Sequence, residues 1–76
     1  MINNEFMKTD VAIEIIAEML ANITLALLDE KDEKIILELN EKKKLYSKQR
    51  DEVYSGNKET INYVIEVYGP ELKKQR

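Results

Sequence analysis

The apolar stretch between Asp10 and Leu28 predicts an amphipathic helix with an unusually wide apolar side. On a helix with about 100° per residue, the polar residues Glu14, Glu18, Asn22 and Asp29 fall on one narrow stripe. The apolar arc that remains covers roughly 220°, about twice what a surface helix needs to face one core. We therefore expect this helix to contact two partners, or a partner on each flank.

The charged segment that follows predicts a turn. Apolar residues from Ile35 onward centre about 120° away from those of the first helix if one helix is continued through the segment. Asp29 or Asp32 can cap a second helix with its side-chain oxygen. Thr9 and Asp10 are possible N-caps of helix 1, and Asn3 or Asn4 is the alternative, earlier start. We predict helix 1 over about residues 10–29 and helix 2 over about residues 32–54. One continuous helix is the alternative.

A second break follows helix 2 at Gly56 and Asn57. Glycine suits the left-handed residue that ends a helix, and asparagine suits the cap of the next one. Apolar residues then recur at helical spacing, which predicts helix 3 over about residues 57–68. Gly69-Pro70 interrupts the pattern and predicts a tail over residues 69–76, in which Glu71–Arg76 forms a basic tail or a short final turn. The predicted fold is all-α, with residues 1–76 forming a hairpin of two long helices plus a shorter third helix.

The size and composition of the chain favour self-association. The chain has 76 residues. A domain this small buries only about 60% of its unfolded surface and is marginally stable alone. The sequence contains no Cys and no His, which excludes disulfides and removes the commonest metal ligand. Oligomerisation is the remaining way to stabilise so small a fold. We predict a dimer that forms a helical bundle through Ile13, Ile16, Ala17, Leu20, Ile23 and Leu27.

Two acidic spacings bear on catalysis. Glu38-x-x-Glu41 and the later Glu59-x-x-Asn62 resemble the acidic spacing of all-helical nucleotide pyrophosphatases, although Asn62 stands where that pattern has a final Asp. The resemblance covers four residues, and such spacings arise by chance in any charged helix. We interpret these acids as solvated helix faces. The sequence predicts a non-enzymatic protein without a catalytic site, cofactor or metal.

Glu14 and Glu18 also bear on the question of a membrane. The apolar run has the length of a membrane span, but acidic groups at bilayer depth cost several kcal/mol. No cluster of basic residues flanks the run. The sequence therefore argues against a membrane partner.

A basic cluster in helix 2 offers an alternative function. Basic side chains can bind the phosphate backbone of a nucleic acid by neutralising its charge. Acids are interleaved with the cluster, however, and the isoelectric point of about 5.0 is not typical of a nucleic-acid-binding domain. Nucleic-acid binding stays as the alternative, with possible phosphate contacts at Lys42, Lys43, Lys44, Lys48 and Arg50.

Tyr63 and Val67 lie off the apolar stripe of helix 3 and predict an exposed surface for a protein partner. The lack of Cys and of a signal peptide favours a cytoplasmic location. Frequent Lys, Ile and Asn fit a genome rich in A and T, such as that of a low-GC bacterium, a phage or a mobile element. The leading interpretation is a small helical accessory or regulatory protein that acts through self-association and protein–protein interaction.

Overall fold

The chain folds into three helical segments, which confirms the all-α prediction. The computed structural model describes residues 4–75, with side chains for residues 7–74, and contains no strand within that range. Helix α1 runs over Asn4–Asp29 and helix α2 over Glu33–Tyr54. The third helix is continuous, and consists of α3, a π turn and α4, which cover Lys58–Tyr63, Val64–Tyr68 and Gly69–Gln75.

The turn predicted between helices 1 and 2 is present. Asp32 caps α2, and its Oδ1 accepts a 2.9 Å hydrogen bond from the backbone N–H of Lys34. Oε1 of Glu30 accepts hydrogen bonds from the backbone N–H groups of Lys31 and Asp32, at 3.2 and 3.1 Å. These local bonds satisfy donors that the helix ends leave unpaired, so a short polar turn is enough to reverse the chain.

Helix α1 begins earlier than the predicted start near residue 10. The possible caps Thr9 and Asp10 both lie inside the helix, which starts at Asn4. No Gly or Pro interrupts the chain between Asn4 and Asp29. Nothing in the backbone therefore stops the hydrogen-bond ladder at the possible caps.

The second break has the predicted chemistry. Gly56 adopts a φ of 86°. This left-handed conformation costs glycine little. The N–H groups of Gly56 and Asn57 donate to the carbonyls of Val53 and Glu52, both at 3.0 Å. This is the Schellman arrangement of a helix end. Asn57 then caps α3 by accepting a 3.2 Å bond from the N–H of Thr60.

The third helix does not end at residue 68, so the predicted tail is wrong over Gly69–Gln75; Arg76 lies outside the described residues. The N–H of Gly69 donates to the carbonyl of Val64, five residues earlier. Such a π turn is wider than an α turn. A wider turn relieves the contact between the Pro70 ring and the preceding carbonyls, and Pro70 has no N–H to donate. The helix therefore continues through the proline.

The core lies where the three helices meet. Helix α1 contributes four buried side chains at spacings of four, three and four residues, whereas α2 contributes only two. The third helix adds four more, spaced three, four and four residues apart. The buried residues are Ala12, Ile16, Met19, Ile23, Tyr46, Val53, Ile61, Val64, Tyr68 and Leu72.

Candidate interaction surfaces

The third helix covers only one flank of α1. A Cβ at Gly69 would lie 3.5 Å from Cδ1 of Ile15, so the third helix approaches α1 on the side of Ile15. Ile16 belongs to the buried stripe and is 0% exposed. Ile15 and Ala17 project about 100° to either side of it. Ala17 is exposed. The third helix therefore packs on one flank of α1 and leaves the opposite flank partly exposed.

The uncovered flank carries an apolar seam, which we name the open flank of α1. Its members are Ile13, Ala17, Leu20, Thr24 and Leu27, at alternating spacings of four and three residues. Ile13, Leu20 and Leu27 are half-buried against the edge of the core, and Ala17 and Thr24 are exposed. This spacing is that of a coiled-coil seam.

The six predicted self-association residues divide between core and surface. Ile16 is 0% exposed and Ile23 is 7% exposed, so both are covered by the chain itself and are not presented to a second chain. The other four residues lie on the open flank. Sequence reasoning missed Leu28, which is 75% exposed beside the open flank.

The edge of α2 beside the open flank is polar. The side of α2 that faces away from the third helix carries Lys43, Ser47 and Arg50, with Ile36 and Tyr54 towards its two ends. Ser47, Arg50 and Ile36 are partly buried, and Tyr54 is 63% exposed. This face of the hairpin therefore joins an apolar strip from α1 to a basic strip from α2.

The basic cluster of α2 does not form one surface. Lys43 and Arg50 lie beside the open flank, whereas Lys42 lines a groove on the opposite face of the hairpin. Nζ of Lys44 lies 4.0 Å from the carboxylate of Glu41 on the outer side of α2, and Lys48 is exposed there as well. The five predicted phosphate contacts point in several directions, as consecutive helical positions must.

A shallow groove opens between α1 and α2 beyond the end of the third helix. Its volume is about 140 Å³, and its lining is mostly apolar. The only charged side chain in the lining is Lys42. The groove is lined by Met19, Asn22, Ile23, Ala26, Leu39, Lys42 and Tyr46.

Three tyrosines form a continuous aromatic cluster between α2 and the third helix. The Tyr68 ring contacts Tyr46 and Tyr63 edge to face, with centroid separations of 5.1 and 5.2 Å. The Tyr68 hydroxyl donates a 2.7 Å hydrogen bond to Oε1 of Gln49. Burial raises the pKa of Tyr68 to about 12. Burial and the nearby Glu71 carboxylate raise the pKa of Tyr46.

The predicted partner residues lie at the edge of this cluster. Tyr63 is 46% exposed and Val67 is 37% exposed, so both are available on the surface. Tyr63 also packs against Tyr68, which connects this surface directly to the core.

Neither the acidic side chains of α1 nor its apolar segment defines a chemical site. Glu14 is exposed and Glu18 is partly buried, and no group of three His, Cys, Asp or Glu among the described residues is arranged to hold a metal ion. The segment Met7–Asp29 is long and apolar enough to cross a bilayer by length and composition. In the most apolar part of this segment, 22% of the residues are buried in the fold.

No protein-family model, curated protein or solved structure shows significant similarity to this chain.

Proposed function

We propose that this protein is a non-enzymatic, cytoplasmic helical interaction protein whose chains pair through the open flank of α1. The observation that carries the proposal is the seam of Ile13, Ala17, Leu20, Thr24 and Leu27, which the described part of the chain covers only in part. Full burial of one large aliphatic side chain stabilises by about 1.5–3 kcal/mol, and a domain this small has only about 5 kcal/mol in total. Covering the seam would therefore add substantially to its stability.

A second copy of the chain fits this surface in shape and charge. The small side chain of Ala17 in the middle of the seam allows a second helix to approach closely. Asp10 and Glu14 border the outer edge of the open flank, and Lys43 and Arg50 lie across it on α2. A second α1 laid between α1 and α2 would bring its acids towards these bases. The result is a bundle of four long helices with both third helices outside.

The test is the solution mass, measured by light scattering during size exclusion over a wide range of concentration. We expect a dimer for the natural sequence and a monomer for Ala17→Glu and Leu20→Glu. Leu25→Glu is the matched control, because Leu25 is 62% exposed on the side of α1 away from the core. The control should remain dimeric. Circular dichroism establishes that each variant is folded. Leu20 is half-buried, so Leu20→Glu also removes packing, whereas Ala17→Glu changes an exposed residue.

A monomeric natural sequence at every concentration would overturn the proposal. A dimer that Ala17→Glu leaves intact would also overturn it, because the contact would then lie elsewhere. If the monomer sediments with lipid vesicles, the open flank serves a bilayer instead.

A further inference from the structure

A cleft separates α2 from the later part of the third helix. Among the described residues, no Cα of the π turn or of α4 lies within 8 Å of a Cα of α2. Side chains bridge the gap instead: Tyr46 and Gln49 reach from α2, and Tyr68 reaches from the π turn. We name this space the tyrosine cleft. Tyr46 and Tyr68 fill its floor and are only 9% and 5% exposed, so only its rim is open to solvent.

One wall of the cleft comes from the third helix. Ile65 is partly buried against the core, and Gly69 faces Ile15 of α1, so this side of the third helix is turned towards α1. Tyr63 and Val67 come directly before the buried residues Val64 and Tyr68. They project from the side of the third helix that is turned away from α1, towards α2. The hydroxyl of Thr60 supports this orientation, because it donates a 3.3 Å hydrogen bond to Glu52 of α2.

The π turn keeps the wall straight. Glu59, Tyr63, Val67 and Glu71 follow one another at intervals of four residues. Along an α-helix, positions four residues apart drift steadily around the axis. A π turn takes more residues per turn and offsets this drift. The wall therefore presents two apolar side chains with an acid at each end.

The facing wall comes from α2. Leu45, Gln49 and Glu52 lie at helical spacing on the side of α2 that faces the third helix. Leu45 is 48% exposed, comparable to the 46% and 37% of Tyr63 and Val67 across the cleft. The two walls together present an exposed apolar centre bordered by the carboxylates of Glu52, Glu59 and Glu71.

We propose that the tyrosine cleft binds a basic amphipathic helix of a partner protein. The apolar face of such a helix would cover Leu45, Tyr63 and Val67, in the manner of helices that bind in hydrophobic grooves. Its Lys or Arg side chains would meet Glu59 and Glu71, and one could lie over the exposed Tyr63 ring. The cleft lies on the face opposite to the open flank of α1. Peptide binding in the cleft and self-association through the open flank can therefore be tested independently.

The test is an NMR titration of the full-length protein with a designed amphipathic peptide of Leu and Lys, about four helical turns long. The control peptide has Glu in place of Lys. We expect the Lys peptide to shift the resonances of Leu45, Tyr63 and Val67, and the Glu peptide to shift none. The double variant Glu59→Lys with Glu71→Lys should bind the Lys peptide on the order of tenfold more weakly.

The matched control is Glu33→Lys with Glu66→Lys, which changes the net charge equally at exposed positions that belong to neither wall of the cleft. It should bind like the natural sequence. Three results would overturn the proposal: no binding, shifts centred on the open flank of α1, or equal weakening by both double variants. The last result would mean that only net charge attracts the peptide. Light scattering measures the solution mass of the same samples, and therefore their self-association, independently.

Discussion

The hydroxyl of Tyr68 donates a 2.7 Å hydrogen bond to Oε1 of Gln49, and this bond joins the third helix to α2 across the tyrosine cleft. The two residues are 19 positions apart, and the π turn that carries Tyr68 has no backbone close to α2. Contacts between side chains therefore hold the third helix in place at this level.

Replacing Tyr68 by Phe should destabilise the fold by about 0.5–1.5 kcal/mol, because the partly buried Gln49 loses its donor while the ring packing stays. Urea unfolding measures the loss. Tyr54→Phe is the control, since Tyr54 is 63% exposed. This control should change stability by less than about 0.5 kcal/mol. A double-mutant cycle with Gln49→Ala should show coupling between the two residues. Additive effects would mean that the hydrogen bond does not contribute.

Stability should also fall at alkaline pH. An unfolded tyrosine ionises with a pKa of about 10. Burial raises the pKa of Tyr68 to about 12 in the folded protein. Below about pH 10 both states hold the proton and stability is unaffected. Between these values only the unfolded state releases the proton, so stability is progressively lost as the pH rises. Tyr46 acts in the same direction, because its pKa is also raised.

Urea midpoints measured at several alkaline pH values test this dependence. The Tyr68→Phe variant lacks the shifted hydroxyl and should lose stability less steeply with pH than the natural sequence. An identical slope in both proteins would show that Tyr68 does not contribute to the alkaline loss.

The two sides of α1 should respond differently to the same kind of substitution. Ile16 is 0% exposed and Leu25 is 62% exposed. Ile16→Ala should destabilise by about 2–5 kcal/mol through lost burial and a cavity. Leu25→Ala should change stability by less than about 0.5 kcal/mol, as is usual at the surface. Chemical denaturation compares the two variants. Similar losses would mean that the outer side of α1 is packed in solution.

The contrast between Ile16 and Leu25 also shows what the sequence could not predict. Both lie in one apolar run, and a run that covers most of the helix does not indicate which part faces the core. Periodicity correctly identified a surplus of apolar surface. The periodicity assigned Ile16 and Ile23 to an interface between chains, whereas both lie in the core. It did not distinguish these two residues from Ile13, Leu20 and Leu27, which lie on the open flank.

Local chemistry was predicted more reliably. Gly56 and Asn57 act as expected because the left-handed turn and the helix cap depend on neighbouring residues only. The π turn was missed because Gly69-Pro70 is typical of a helix end, and only packing of Tyr68 and Leu72 reveals that the helix continues. The tyrosine cleft depends on contacts between distant residues, so only Tyr63 and Val67 could be singled out from the sequence.

Substitutions at Gly56 should follow the cost of its left-handed backbone. A Cβ at this position meets no atom within 4 Å, so the strain of a φ of 86° is the only penalty. Gly56→Ala should destabilise by about 1–2 kcal/mol, and Gly56→Asn by less, because Asn tolerates this conformation better. Thermal unfolding ranks the three proteins. A ranking with Ala above Asn would show that the turn changes conformation on substitution.

Replacing Pro70 by Ala tests what produces the π turn. Val64, Tyr68 and Leu72 are buried at intervals of four residues, and a turn wider than α brings such positions closer to one line, whichever residue occupies position 70. We therefore expect Pro70→Ala to keep the π turn and to stabilise the protein by about 0.5–1 kcal/mol, since proline is a poor residue inside a helix. The stabilisation follows from thermal unfolding, and NMR amide exchange reports the turn. If the proline itself produces the turn, the variant would revert to an α-helix, rotate Leu72 out of the core and lose stability. A stable variant with an unchanged Tyr68 contact to Gln49 would assign the turn to packing.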